Sequence, residues 1–480
     1  MKLIELLNGV KYELLKGTLD KKISHLQYDS RKIVEDDIFV CLKGFEVDGH
    51  NYANKAIELG AKVIICERDI EVNKDDVTVI KVKEGRKALS IMSANYYDNP
   101  SKKLKLIGVT GTNGKTTSVY LLKSILEKAG KKVGLVGTVA NYIGDKKLKS
   151  ERTTPESLEL QKLFKDMVEA GCEYCVMETS SHSLELNRVY GCHYEVGIFT
   201  NLTRDHLDFH KSFDNYYNAK FKLFENSKSV VINVDDNYGY RVLNDVKELN
   251  DKNIITYSIE NDSDIKASDI KLKEGDIHFK VNGIEFNSVL PGEYNIYNAL
   301  GVIGAMKAEG IDDKYIKEGL MDVVVPGRCE RVGYKYNIPY EIIIDFAHTP
   351  DGLKNILETL RNFTKNRLIA VYGCGGDRDK VKRAELGRIG TEIADLAIIT
   401  SDNPRNEDPM AIIRDIVCGI NKTNYLAIEN RIEAIKLAIS MAEEGDVIVL
   451  AGKGHESYQI TNEGYIHFDE REIVDEILRK

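Results

Sequence analysis

No apolar run in the 480 residues approaches the ~18 that a membrane-spanning helix needs. A helical membrane span is therefore excluded, and with it membrane insertion as a way of reaching substrates. The opening segment MKLIELLNGV is too short and too mixed for a secretory signal, so the chain is expected in the cytoplasm. Positive charge is not in excess: 67 Lys and Arg against 76 Asp and Glu leave a net charge of −9. That balance disfavours nonspecific adhesion to nucleic acid or anionic lipid, while leaving local basic pockets open. A second CxxC is missing. Cys172 and Cys175 have the spacing, but zinc would need two more ligands, which Cys192 and His193 could supply. Cys175 opens the apolar run CVMETS, and Cys41 and Cys66 also sit in apolar runs, so the eight cysteines read as reduced, packed thiols. Repeats and low-complexity tracts are absent as well.

What is present is an ordinary globular composition, 42% hydrophobic and 30% charged. Single cores rarely grow past ~250–300 residues, so two or three domains are expected. The pattern predicts three, all α/β: a small N-terminal αβ domain over 1–98, a central P-loop-type domain with a mostly parallel sheet over 99–328, and a Rossmann-like C-terminal domain over 329–480. In the first block, DIFVCLKG and AKVIICE read as strands around a helix ending at Gly60. In the second, LKLIGVTG, VGLVGT, CVMETS, VGIFTN and SVVINVD are short apolar strands alternating with helices, which argues for a doubly wound sheet. A weaker β ribbon follows residue 250, and then the helix of PGEYNIYNALGVIGAMKAEG. In the third block EIIIDFAH, RLIAVYGCGG, LAIITSDN and VIVLAGKG each end in polar residues or glycine. Open α/β sheets bind ligands beyond the carboxyl ends of their strands, so these strand ends are the places to look for chemistry.

The strongest local signal is Gly111-Thr112-Asn113-Gly114-Lys115-Thr116-Thr117, between a strand and a helix. Backbone amides at a helix N-terminus, aided by the helix dipole, hold phosphates there. Glycines let the backbone approach, Lys115 reaches the β- and γ-phosphates, and the Thr116 hydroxyl suits Mg²⁺. The match to GxxxxGK[ST] is imperfect, since Val109 stands at the first glycine position; the competing reading is a glycine-rich helix cap. Glu178 ends the next strand, followed by Ser180, Ser181 and His182, and Asp205, His206 and Asp208 follow VGIFTN. A carboxylate and an imidazole at such strand ends suit a second Mg²⁺, although Glu178 could instead pair with a lysine and His206 could cap a helix.

These segments, in order, resemble the Mur ligases, which build the peptide stem of bacterial peptidoglycan. The resemblance is carried by Gly111–Thr117, METSSH (177–182), NLTRDHLDFH (201–210), YNAKFKLF (217–224), GEYNIYN (292–298), PGRCE (326–330) and DFAHTPD (345–351). GCGGDRD (373–379), DNPRNEDP (402–409) and AGKGHE (451–456) are similar to the branch that adds the third residue of the stem. The resemblance spans nearly the whole chain, and several motifs in fixed order are far more specific than one P-loop. It implies an ATP-dependent ligase of cell-wall biogenesis, serving cell shape and division, that works as a monomer through an acyl phosphate.

The resemblance also implies residue roles. Lys115 and Thr116, with the rest of the loop, would serve the ATP phosphates and one Mg²⁺. Glu178 and His206 would hold a second. Lys220 matches a lysine that reacts with CO₂; the carbamate so formed is an anionic oxygen ligand suited to a hard cation, whereas read alone Lys220 is a solvated helix lysine. Asn298 would contact adenine with Asn295 supporting it, Arg328 the γ-phosphate, Asp345 the ribose, and His348 lies near the nucleotide. The UDP end of the substrate would meet Asp29-Ser30-Arg31 and the Lys43-Gly44 turn, with Ser30 the firm contact; Phe45 and Glu46 depart from the family's small or polar residues. Thr153, Thr154, Ser180 and Arg188 match positions that hold the sugar and peptide.

For the incoming amino acid, family members with DNPR add meso-diaminopimelate, and lysine-adding members usually lack the arginine. Arg405 closes Asp402-Asn403-Pro404-Arg405 here. Diaminopimelate carries a second carboxylate that a guanidinium grips bidentately, where lysine offers only an ammonium. Arg378, Gly452 and Glu456 match the remaining contacts, Glu456 taking an ammonium. The bland reading of Arg405 is a loop arginine after an Asn-Pro turn. The expected partners are thus UDP-MurNAc-L-Ala-D-Glu and meso-diaminopimelate. The rivals are an L-lysine-adding ligase, a folate polyglutamyl ligase of similar architecture, a simple kinase, and a P-loop nucleotide-binding protein without ligase activity.

Overall fold

In the computed structural model, residues 1–44, 47–72, 74–273 and 276–479 are described. The chain forms two compact units. One comprises Met1–Thr110, Lys131–Gly197 and Ala219–Ser229; the other comprises Gly111–Gly130, Ile198–Asn218 and Val230–Lys480.

The first unit contains a five-stranded sheet in the order Tyr12–Lys16, Thr78–Val82, Val63–Cys66, Ile38–Val40, Leu26–Gln27, with only the first strand antiparallel. Its strands are apolar on both faces because both are covered. Ile38, Val40, Val63 and Ile65 point into a core with Leu3, Leu89 and Met92, while Phe39, Cys41, Ile64 and Cys66 pack with Ala53, Ala56 and Ile57. The period-2 alternation of side chains makes one run of sequence serve two cores. The same unit carries the parallel strands Lys105–Thr110, Tyr174–Glu178 and Val133–Val136, extended by the antiparallel strands Asn141–Ile143 and Lys146–Leu148.

In the second unit, the predicted ribbon after residue 250 is a meander of Ile265–Lys273, Asp276–Val281 and Ile284–Ser288, with Asn253–Ser258 parallel to its first strand. The helix Glu293–Ala308 follows. A six-stranded sheet comes next, in the order Glu330–Val332, Glu341–Asp345, Val447–Ala451, Leu368–Tyr372, Leu396–Ile399, Tyr425–Ala427, parallel apart from its first strand. Ile343, Ala370 and Tyr372 face helices Pro350–Arg361, Val381–Ile393 and Pro409–Val417. Ile342, Ile344, Ile369 and Val371 face Arg431–Ser440 and Glu470–Leu478. Helices on both faces leave the strands' carboxyl ends as open rims, where the polar segments of the third block fall.

Six of the cysteines are buried as expected, whereas Cys329 is only partly buried and Cys418 is exposed, which corrects the packed-thiol reading for these two. All eight are free, and Cys172, Cys175 and Cys192 are buried. Burial pushes the Cys175 thiol well above its usual range and Cys192 up to about 12. They are protonated thiols in an apolar core, and among the described residues no group of three His, Cys, Asp or Glu stands ready for a metal. No helix of the described residues is long and apolar enough to cross a membrane.

Candidate active site

The strand Lys105–Thr110 runs into the loop 111–114, and the helix Lys115–Lys128 begins directly after Gly114. Gly114 has φ +87°, and a Cβ there would sit 2.3 Å from the Asn298 side-chain oxygen. At Gly111 a Cβ would meet the Thr200 hydroxyl at 1.8 Å. Both positions therefore demand glycine for space as well as for backbone freedom. Asn113 is held on two sides: its amide donates to the Asn201 side chain at 2.9 Å, and its own Nδ2 donates to Asp351 at 2.9 Å. Thr112 bonds the backbone of Thr203, and Thr117 is buried in the helix.

The Lys115 ammonium donates to the Gly111 and Thr112 carbonyls, 2.8 Å each, folding its stem over the loop. The Arg328 guanidinium donates to the Thr116 hydroxyl at 3.2 Å while lying 4.5 Å over the Phe346 ring. Asn298 donates to Asn295 at 2.9 Å, and Asn295 to the Pro291 carbonyl at 2.7 Å, the supporting role expected of Asn295. Asp345 ends its strand buried; desolvation raises its pKa, with Arg328 and two backbone amides, Cys329 and Ala347, opposing. His348 is half-buried, and desolvation first and the Lys382 charge second lower its pKa. His206 takes the N-cap position of a short helix with φ +54° but makes no side-chain capping bond, and its ring stands 3.3 Å from Asp205. Burial works against ionising Asp205, but the charges of His206, His348 and Lys382 hold its carboxyl below the usual range.

In the first unit, the Glu178 carboxylate is 1% exposed and accepts from the Thr138 amide at 2.8 Å and hydroxyl at 3.0 Å. Gly137 makes room for it, since a Cβ would lie 2.7 Å from its oxygen. The Thr138 amide and hydroxyl, rather than a lysine, are thus the partners Glu178 shows among the described residues. Lys220 lies on the helix Phe213–Glu225 and is 3% exposed. This corrects the solvated-lysine reading. The Thr116 hydroxyl in the second unit and the Glu178 carboxylate in the first are each a donor type that Mg²⁺ accepts.

Thr153 accepts from Thr138 at 3.0 Å, and Thr154 donates to the Glu178 carbonyl at 2.7 Å and accepts from the Ser180 amide. Arg188 donates to the Thr154 carbonyl and pairs with Glu156 at 2.9 Å. Glu156 was not singled out by the sequence, yet it also takes Arg152 and Arg86, so three guanidiniums surround one buried carboxylate and the group remains net positive. Ser30 lies on the one-turn helix Ser30–Lys32, capped by Asp29. The expectation concerning Phe45 and Glu46 falls outside the described residues.

The third group of strand-end loops is tightly cross-linked. The Arg405 guanidinium donates to the Gly376 carbonyl at 2.8 Å, tying DNPR to GGDRD, and its own amide donates to the Ile460 carbonyl. Both Arg405 and Asp377 have left-handed backbones, φ +54° and +53°, each a local cost of roughly 1–2 kcal/mol. Burial first and the like charge of Arg378 second lower the Arg405 pKa; a carboxylate between the two guanidiniums relieves both. Gly452 passes so close to Asp402 that a Cβ would lie 2.5 Å from its carboxylate. Glu407 accepts from Arg383 through both oxygens and from the Asp377 amide at 2.6 Å, another link that the sequence did not single out.

The loop at Gly111 offers a seat for a polyphosphate, and the class so defined is that of the P-loop nucleotide-binding α/β proteins. Comparison with known proteins narrows it. Residues 22–97 match the model of the Mur ligase family catalytic domain, 109–306 the Mur ligase middle domain and 327–454 the Mur ligase glutamate ligase domain. The chain is 60% identical over 482 residues, covering 100% of itself and 99% of the relative, to the UDP-N-acetylmuramoyl-L-alanyl-D-glutamate--2,6-diaminopimelate ligase of Clostridium perfringens. It is 56% identical, at 100% coverage of both, to the enzyme of the same name from Clostridium botulinum. A solved structure of an enzyme of that name superposes with a TM-score of 0.71 at 30% identity, covering 100% of this chain and 99% of the other. The chain belongs to the Mur ligase family of ATP-dependent, ADP-forming ligases.

Proposed function

We propose that this ligase joins meso-diaminopimelate to the D-Glu γ-carboxylate of UDP-MurNAc-L-Ala-D-Glu, using ATP, in the cytoplasmic synthesis of peptidoglycan precursor. The observation that carries the reading is 60% identity over the whole length to an enzyme named for that reaction, with Arg405 standing in DNPR as the chemistry of a second carboxylate requires. Lysine addition would leave the Arg378–Arg405 pair facing an ammonium. A folate ligase is disfavoured by the N-terminal segment at 22–97, which matches a Mur ligase domain. In this reading the domains are 1–98 for the UDP substrate, 99–328 for ATP and 329–480 for the amino acid, and the enzyme acts as a monomer.

The D-Glu carboxylate attacks the γ-phosphorus of ATP, ADP leaves, and an acyl phosphate forms. The free amine of diaminopimelate attacks its carbonyl carbon, phosphate leaves, and an amide remains. Lys115 and Arg328 offset charge on the transferring phosphoryl group. Asn298 takes the adenine and Asp345 the ribose, while His348 shapes the wall beside them. Thr116, Glu178, His206 and a carbamylated Lys220 are the residues that would ligate Mg²⁺, two ions in this reading, whose charge offsets that of the phosphates. Ser30 holds the uridine end, and Thr153, Thr154, Ser180 and Arg188 hold the sugar and peptide. Arg378 and Arg405 grip the diaminopimelate carboxylates, and Glu456 takes an ammonium. Little covalent chemistry falls to the protein; catalysis is placement and electrostatics.

The test is product analysis. With ATP, UDP-MurNAc-L-Ala-D-Glu and meso-diaminopimelate, the expected products are ADP, phosphate and a nucleotide-peptide heavier by one diaminopimelate less one water. ADP formed with no new amide would favour a kinase or a bare nucleotide-binding protein.

A further inference from the structure

Lys453, between two glycines in AGKGHE, has no assigned task. Its side chain is 0% exposed. The ammonium donates to Asn403 Oδ1 at 3.0 Å and to Glu456 Oε2 at 2.9 Å, and stands 4.0 Å from Asp402. The Tyr458 and Phe468 rings wall it in, at 5.8 and 5.7 Å. Asn403 is committed in turn: its Oδ1 also accepts from the Ile460 amide at 2.9 Å, and its Nδ2 donates to the same Glu456 Oε2 at 2.9 Å. Two donors thus converge on one oxygen of Glu456, and the Tyr458 hydroxyl hydrogen-bonds the carboxylate as well. The Glu456 side chain is 14% exposed and so reaches the rim.

We propose that Lys453 is a positioning residue for the amino-acid substrate: it pins Glu456 by Oε2 and so fixes the carboxylate in the orientation that receives the substrate's ammonium. Asn403 acts as the strut that carries this alignment into the DNPR loop, and its side chain works on the protein rather than on the substrate. A buried ammonium is retained only where it is fully bonded, and here every bond it makes ends on a residue of the amino-acid-binding loops. The inference rests on the reading of Glu456 given above.

The experiment is a double-mutant cycle on steady-state kinetics with Lys453→Met, Glu456→Gln and the double variant, recording KM for meso-diaminopimelate and for ATP. Lys453→Met is expected to raise KM for diaminopimelate about ten- to a hundredfold, the range for a charge-assisted hydrogen bond, with KM for ATP changed less than threefold. Because Lys453 acts through Glu456, the double variant should match Glu456→Gln alone. The double variant removes both charges of the Lys453–Glu456 pair together, so the comparison with Glu456→Gln stands even where Lys453→Met does not fold. A diaminopimelate KM unchanged in Lys453→Met, or a double variant a further tenfold worse than Glu456→Gln, overturns the proposal. Wild-type enzyme inert toward diaminopimelate would instead overturn the assigned substrate.

Discussion

The Arg328 guanidinium donates to the Thr116 hydroxyl at 3.2 Å, joining positions 212 residues apart in the chain. One residue opens the P-loop helix and the other stands where the six-stranded sheet begins, so the bond ties the phosphate seat to the segment that follows it. Arg328 is also seated on the Phe346 ring, which limits its travel. Arg328→Ala should lower kcat by about 10²–10³, as for loss of one preorganised donor to a developing charge, with the melting temperature nearly unchanged. Steady-state kinetics and a thermal melt check both halves.

Lys220 is 3% exposed on the helix Phe213–Glu225. Lys220→Ala should be inactive and should regain part of its activity with formate or acetate, which replace the missing carboxylate. Intact mass of the wild type under CO₂ should show one carbamate per chain. Full activity of the unsupplemented variant would remove the role.

Arg405→Ala should raise KM for meso-diaminopimelate by about ten- to a hundredfold, the range for a charge-assisted bidentate pair, with KM for ATP little changed. The Gly376 carbonyl loses its partner too, so a small loss of stability should accompany the change. Titrating each substrate separately distinguishes the two effects.

The Arg383 guanidinium beside Glu407 is the main cause that holds the Glu407 carboxyl down at about 2, from an ordinary 4.5. A depressed carboxylate contributes stability that is present above its unfolded pKa and lost as pH falls through the folded one. The Glu407 contribution is therefore full above about pH 4.5 and fades toward pH 2. Urea unfolding across that window should show Glu407→Gln less stable than wild type at pH 6, with the gap narrowing as the pH falls.

Much of this was legible in the sequence because the fold places chemistry at strand ends. Apolar runs such as EIIID and VIVLA can only be buried strands, and the polar residues that follow them must fall on the rim. Glu178 was singled out that way, Lys115 by its glycine-rich loop, and Arg405 by family likeness at such a strand end. Lys453 was not, because a lysine between glycines reads as solvated until the Tyr458 and Phe468 rings are seen to enclose it. Its burial depends on the hairpin of Tyr458–Thr461 and Gly464–His467, whose four-residue strands are too short to show a period. Glu156 was hidden for a similar reason: its partners Arg86, Arg152 and Arg188 are brought together only by tertiary structure. Lys220 was read from family likeness, since an AKFK helix segment by itself looks exposed.

The central claim is the identity of the amino acid. The most direct measurement is kcat/KM for meso-diaminopimelate and for L-lysine on the wild-type enzyme with saturating ATP and UDP-MurNAc-L-Ala-D-Glu. The account predicts a preference for diaminopimelate of at least about 10³, because lysine leaves the half-buried Arg405 guanidinium without a carboxylate partner. Equal or better use of lysine would contradict it.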